Sequence, residues 1–152
     1  MKTLVVYYSR AGKVKMAASA LAKELNADIC EIIDKDKRKG VFGFIRSGKG
    51  GRKKELADIE PLKSDLNEYE LIVLCSQIWA GDISCPTRAF LTTYKNDIKD
   101  ISYLILHMAN KEYQEVFDEM DVLVGKKRKW QISAVGKGDF ENIIREAARK
   151  LI

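Results

Sequence analysis

Two stretches of this chain carry residue types that could hold an anion and a flat ring. Ser9, Arg10, Ala11, Gly12, Lys13 and Val14 put a hydroxyl, two cations and a glycine into six consecutive positions. Such a loop binds phosphate through charge-assisted hydrogen bonds. Gln77, Ile78, Trp79, Ala80, Gly81 and Asp82 place a large aromatic side chain two residues before a glycine. Trp79 either stacks on an aromatic ligand or packs half-buried, and Gly81 lets the backbone approach a ring and change conformation cheaply. A third stretch, His107, Met108, Ala109 and Asn110, contains the single histidine. His107 either tunes or protonates a ligand or makes a strand-end hydrogen bond.

These stretches need elements to position them. Thr3-Leu4-Val5-Val6-Tyr7-Tyr8 is a continuous β-branched and aromatic run, as expected of a buried parallel strand. It leads into the first stretch, and Val14, Ala17, Ala18, Leu21 and Leu25 then recur at helical spacing. A strand–loop–helix unit sets free N–H groups and the positive end of a helix dipole at the strand's carboxyl end, a ready anion site. Further strands are predicted at Asp28–Ile33, Glu70–Cys75, Ser102–His107 and Trp130–Val135. Helices are predicted at Pro86–Tyr94, with proline in the tolerated first turn, and at Lys111–Met120. A last helix carries the apolar stripe Phe140, Ile143, Ile144, Ala147, Ala148 and Leu151. Strands alternating with helices imply a parallel sheet covered on both faces. Five such strands fit a doubly wound α/β sheet of order 2-1-3-4-5, in one domain over residues 1–152. In such sheets ligands sit at the carboxyl ends of the strands, at the switch between the first and third, where the three stretches meet.

Composition narrows the function. The 46% hydrophobic and 32% charged content is ordinary for a soluble globular protein, and no run approaches a membrane span. Met1 leads directly into the first strand, which leaves no room for a signal peptide. Cys30, Cys75 and Cys85 lack metal spacing and read as reduced thiols of a cytoplasmic protein. The net charge of +5 concentrates in Lys35–Lys54 and Lys126–Lys129. No nucleic-acid-binding pattern accompanies it, so a solvated face is expected. Gly43, Gly48 and Lys49 mimic the spacing of a nucleotide-binding loop, but Gly50 stands where Ser or Thr must hold magnesium, and no buried strand precedes it. Val41–Ile45 reads as the start of a short helix, with Gly48–Gly51 as a turn. No Ser–His–Asp grouping, metal cluster or dinucleotide fingerprint is visible in the sequence.

Val5-Val6-Tyr7-Tyr8-Ser9-Arg10 with Gly12 and Lys13, then Ile78-Trp79-Ala80-Gly81, then Pro86-Thr87-Arg88-Ala89-Phe90-Leu91, resemble the corresponding segments of small flavodoxins. The resemblance spans nearly the whole chain. It implies non-covalent FMN, with its phosphate on Ser9–Val14 and its ring between the second and third stretches. It also implies one-electron transfer between redox partners, a carrier with no catalytic residue and no metal. A glycine-containing peptide would turn its carbonyl toward reduced flavin N5; Gly81–Asp82 and Ala80–Gly81 both qualify. Two departures stand out. The family's hydroxyls near Ala11 and Val14 are absent, each worth about 1.5–3 kcal/mol against a charged phosphate. Together they amount to roughly a hundredfold or more in affinity, which Arg10 and Lys13 can partly recover. The chain is also basic where many flavodoxins are acidic, so an acidic redox partner is expected, with no nucleic acid or membrane. Two other functions stay open: a module that has lost FMN and acts through protein contacts, and an NAD(P)H- or quinone-dependent flavin reductase.

Overall fold

The computed structural model describes residues 1–35, 56–79 and 81–152. The expected short helix and turn at 40–55, the decoy glycines and Ala80 lie outside them. The elements are β1 (Thr3–Tyr7), α1 (Lys13–Leu25), β2 (Asp28–Glu31), β3 (Leu71–Trp79), β4 (Asp82–Ile83), α2 (Cys85–Tyr94), β5 (Asp100–His107), α3 (Gln114–Val124), β6 (Gln131–Val135) and α4 (Phe140–Leu151). The sheet runs β2-β1-β3-β5-β6, all parallel, and β4 pairs antiparallel with the end of β3. This is the doubly wound order expected from the sequence, with a two-residue hairpin strand added.

Alternation along the strands builds two cores. Leu4, Val6, Ile72, Leu74, Tyr103 and Ile105 face α2 and α3, packing on Phe90, Leu91, Phe117 and Met120. Their neighbours Val5, Tyr7, Val73, Cys75, Leu104 and Leu106 face the other way, onto Val14, Ala17 and Leu21 of α1 and Phe140, Ile144 and Ala148 of α4. A strand covered on both sides has no polar face to show, so β1 and β3 read as unbroken apolar runs. Burial pushes the Cys75 thiol up. Burial and the bond from its hydroxyl to Glu31 push Tyr7 up to about 12.

Several boundaries move. β3 runs four residues past the predicted end at Cys75, because Ile78 and Trp79 find partners in Ile83 and Asp82. α3 starts at Gln114 rather than Lys111 and continues past Met120 to Val124, where Gly125 at φ 75 ends it. β2 stops at Glu31, and the chain beyond it pairs instead with the returning segment, through an Asp34–Ile59 bridge. On α4, Phe140, Ile144 and Ala148 are buried, while Ile143 and Leu151 are exposed. One neighbouring helix and one sheet face cover a narrower stripe than the composition offers. The basic run 126–129 is largely engaged. Lys126 donates to the carbonyls of Ile98 and Lys99, Arg128 pairs with Asp118 and Asp121, and Lys129 lies 3.6 Å from Asp100.

Candidate ligand site at the carboxyl end of the sheet

β1 delivers the chain to the first stretch, and Gly12 turns it into α1. Gly12 sits at φ 100, a left-handed conformation that suits glycine, and a Cβ there would meet open space. Its N–H donates to Ser9 Oγ at 2.9 Å, which leaves the serine's own hydroxyl proton available to a ligand. No side chain caps α1, and its first turn holds no acidic residue. The N–H groups of Lys13, Val14 and Lys15 therefore open toward the end of β1 with the positive end of the helix dipole behind them. Val14 contributes only backbone, because its side chain is 1% exposed and packed in the α1 core. Ala11 is exposed and Arg10 half-buried. Lys13 does not simply extend over the loop. Its Nζ donates to the Gly136 carbonyl at 2.7 Å, tying α1 to the β6–α4 connection.

The second stretch is a hairpin rather than the loop expected from sequence. Gln77, Ile78 and Trp79 belong to β3, Asp82 to β4, and Gly81 lies in the turn before Asp82. Gly81 sits at φ 81, is exposed, and has open space where a Cβ would stand. Asp82 faces inward. Its Oδ1 accepts from the Ile83 N–H at 2.7 Å and lies 3.4 Å from Arg88 Nη2. The same Nη2 lies 3.0 Å from Glu119 of α3. Arg88 is buried, and its Nε has no hydrogen-bond partner. Burial, and then the Glu119 carboxyl, raise Asp82 above the usual carboxylate range. Asp82 is thus occupied beneath the hairpin, holding it to α2 and α3.

Buried hydroxyls complete that support. Ser84 caps α2, accepting from the Thr87 N–H, and Ser76 of β3 contacts both Ser84 and Thr87 through its hydroxyl. Ser76, Ser84, Thr87, Arg88 and Glu119 were not singled out as site residues from the sequence. Ser84 followed by Pro86 is a helix-start signal, but nothing local announces that Arg88 reaches Glu119.

In the third stretch, Met108, Ala109 and Asn110 are exposed and His107 is buried. The His107 ring is used on both nitrogens, Nδ1 at 2.6 Å from the Ala109 carbonyl and Nε2 at 2.7 Å from Ser133 Oγ. It also packs against Tyr113, with centroids 4.8 Å apart, so it faces the α3 side of the sheet. The strand-end hydrogen bond is the role its geometry displays. The His107 carbonyl accepts from the Gly136 N–H at 2.8 Å. A Cβ at Gly136 would stand 3.2 Å from the Leu106 side chain, a tight contact that glycine avoids.

The first stretch thus presents the N–H groups at the start of α1, the Ser9 hydroxyl and the charges of Arg10 and Lys13, with no acidic residue in the helix's first turn. That donor set fits a phosphate monoester. The exposed Gly81 follows β3, the strand beside β1.

No protein-family model and no curated protein sequence matches the chain. Solved structures do. A flavoprotein in complex with FMN from Lactobacillus acidophilus NCFM superposes with a TM-score of 0.70 at 19% identity, covering 88% of this chain and 91% of that one. A flavodoxin from the domain Archaea gives 0.62 at 17% identity over 99% and 96%. An oxidised flavodoxin of Bacillus cereus gives 0.60 at 15% identity over 99% and 97%. At these identities the likeness speaks to architecture, and with the strand order above it assigns this chain the flavodoxin-like fold.

Proposed function

We propose that this protein binds FMN non-covalently at the carboxyl end of its sheet and carries electrons between redox partners. The observation that supports it most is the uncapped start of α1, with Gly12 left-handed and Ser9 beside it, next to the hairpin that ends β3. A flavoprotein solved with FMN shares the fold. FMN, when bound, supplies a ring that takes up and returns electrons. The chain's own part is to bind and orient it. Ser9 and the N–H groups of Lys13, Val14 and Lys15 hold the phosphate, Gly12 makes the turn that aims them, Ala11 leaves the loop unobstructed, Arg10 adds its charge, and the Lys13 ammonium acts through its charge from the Gly136 carbonyl. Gln77, Ile78, Trp79, Ala80, Gly81 and Asp82 form one wall of the ring site, and the backbone of His107, Met108, Ala109 and Asn110 forms the other. The Gly81 turn can present a peptide carbonyl to the ring without side-chain hindrance.

The exposed Lys13, Lys111 and Lys137 lie around this end, which favours an acidic redox partner whose docking weakens as salt rises. The three cysteines are buried thiols outside any disulfide, which suits a reducing compartment, and we place the carrier in the cytoplasm. No described helix is long and apolar enough to cross a membrane.

Titrating the apo protein with FMN and with riboflavin, followed by flavin fluorescence, tests the reading. FMN should bind roughly a hundredfold tighter, the worth of two charge-assisted bonds. Equal affinities would remove the phosphate site from the proposal. No binding of either would favour a module acting through protein contacts. Rapid oxidation of NAD(P)H by the FMN-loaded protein would favour a reductase.

A further inference from the structure

We propose that Ser133 and His107 form a second reactive site at the β6 edge of the sheet, an acyl-accepting serine with its own general base, suited to small activated carboxylic esters. The inference is independent of the flavin reading and uses a different face of His107 from the loop beside the proposed ring.

The hydrogen bonds dictate the proton positions. The Ala109 carbonyl can only accept, so His107 Nδ1, 2.6 Å away, carries the proton. In the neutral ring Nε2 is then the acceptor, and Ser133 Oγ at 2.7 Å must donate its hydroxyl proton to it. That is the nucleophile–base relation of acyl-transfer enzymes, with a backbone carbonyl as the group that holds the imidazole tautomer. His107 is held further by Tyr113 and is only 7% exposed, whereas Ser133 is exposed. The base is therefore fixed and the nucleophile reachable.

The surroundings have room and a donor. A cavity of about 500 Å³ opens on the α3 side of β5 and β6, lined among others by His107, Tyr113, Phe117, Gln131 and Ser133. That volume is in the range of small-molecule sites. Among the described residues β6 is the edge strand and pairs with β5 alone. The bonds Tyr103 N–H to Trp130 O and Gly136 N–H to His107 O set the alternation of this parallel ladder. They leave the N–H of Ser133 directed at the open edge, where it can stabilise negative charge on an attacked carbonyl oxygen.

The chemistry balances without a redox partner. Ser133 Oγ bonds to the carbonyl carbon as its proton passes to His107 Nε2. The bond to the leaving alcohol breaks, and the alcohol takes that proton. Water then repeats the attack through the same base, the bond from the acyl carbon to Oγ breaks, and a carboxylic acid leaves with Ser133 restored.

The full chain, with and without added FMN, is treated with a fluorophosphonate probe and mapped by peptide mass. Ser133 should label about a hundredfold faster than the exposed Ser19, within the usual contribution of a positioned base. 4-Nitrophenyl acetate should be cleaved faster than in buffer. Ser133→Ala should abolish both while leaving the circular dichroism spectrum unchanged, and His107→Gln should slow the labelling of Ser133 to the Ser19 rate. Labelling of wild-type Ser133 no faster than Ser19, or ester cleavage that survives Ser133→Ala, overturns the proposal even if His107→Gln fails to fold.

Discussion

The two ends of the same sheet have been treated in opposite ways. At the amino end, charged and polar side chains are consumed by the fold. Lys126 closes on the carbonyls before β5, and Arg128 binds Asp118, Asp121 and Gln131. Tyr69 donates to Asp28 at 2.8 Å while Lys2 sits over its ring. At the carboxyl end, α1 begins uncapped and two glycines hold left-handed turns in open space. The contrast teaches where stability ends and binding begins. Groups satisfied internally add to folding, and donors left to solvent are the ones a ligand can still claim.

Perturbing each end separately sharpens or breaks this division. The largest effect is expected from Arg128→Ala. Arg128 is nearly buried and the Asp121 carboxylate, also mostly buried, would lose its partner at 2.6 Å. Stability should fall by about 2–3 kcal/mol in urea unfolding, with FMN affinity unchanged. A large loss of affinity in the folded variant would show that the two ends are coupled.

Trp79→Ala acts at the other end. If Trp79 stacks on the ring, FMN should weaken by roughly 1–3 kcal/mol, on the scale of aromatic–base stacking, and the visible absorption band should change shape. A lower melting temperature with an unchanged spectrum and affinity would assign Trp79 to packing.

Gly81→Val forces a β-branched residue into a left-handed turn, at a cost of about 1–2 kcal/mol. Oxidised FMN should remain bound. A reductive titration should shift from two resolved one-electron stages toward a single two-electron stage. Two stages as well resolved as in the wild type would remove the Gly81 turn from any redox role.

The smallest effect concerns Asp82. Its folded pKa is raised, so folding favours the protonated form. The stability Asp82 contributes is therefore complete below its ordinary value near 3.8 and is lost as pH rises through the higher folded value. Asp82→Asn should flatten the stability profile just above that value, as read from urea midpoints over a pH series. An unchanged slope would show that Glu119 rather than Asp82 holds the proton.

What could be read from the chain depended on the range of the interaction. The unbroken apolar run Leu4 to Tyr8 and the helical recurrence after Val14 are local patterns, so strands, helices and their order were visible in the sequence. Gly12 and Gly81 were also legible, because a glycine between a strand and its successor marks a turn that other residues resist. The hairpin was not. β3 continues to Trp79 only because Ile83 and Asp82 fold back on it, and β propensity alone does not report a partner.

The same limit applied to side chains. The sequence places the Lys13 cation in the first stretch, but only the structure shows its ammonium on the Gly136 carbonyl, 123 residues away. Arg88 stands in a predicted helix with nothing local to name its partners, and the structure buries it between Asp82 and Glu119. The absence of a Ser–His–Asp pattern in the sequence said nothing of Ser133, which meets His107 only because β5 and β6 lie side by side in register. By itself the sequence determined the layered α/β architecture and the place of the glycine turn between β1 and α1, since both follow from periodicity and backbone chemistry within a few residues. Only the tertiary structure decided which donors are spent and which remain, because a hydrogen bond between residues far apart in the chain depends on the register of the whole sheet.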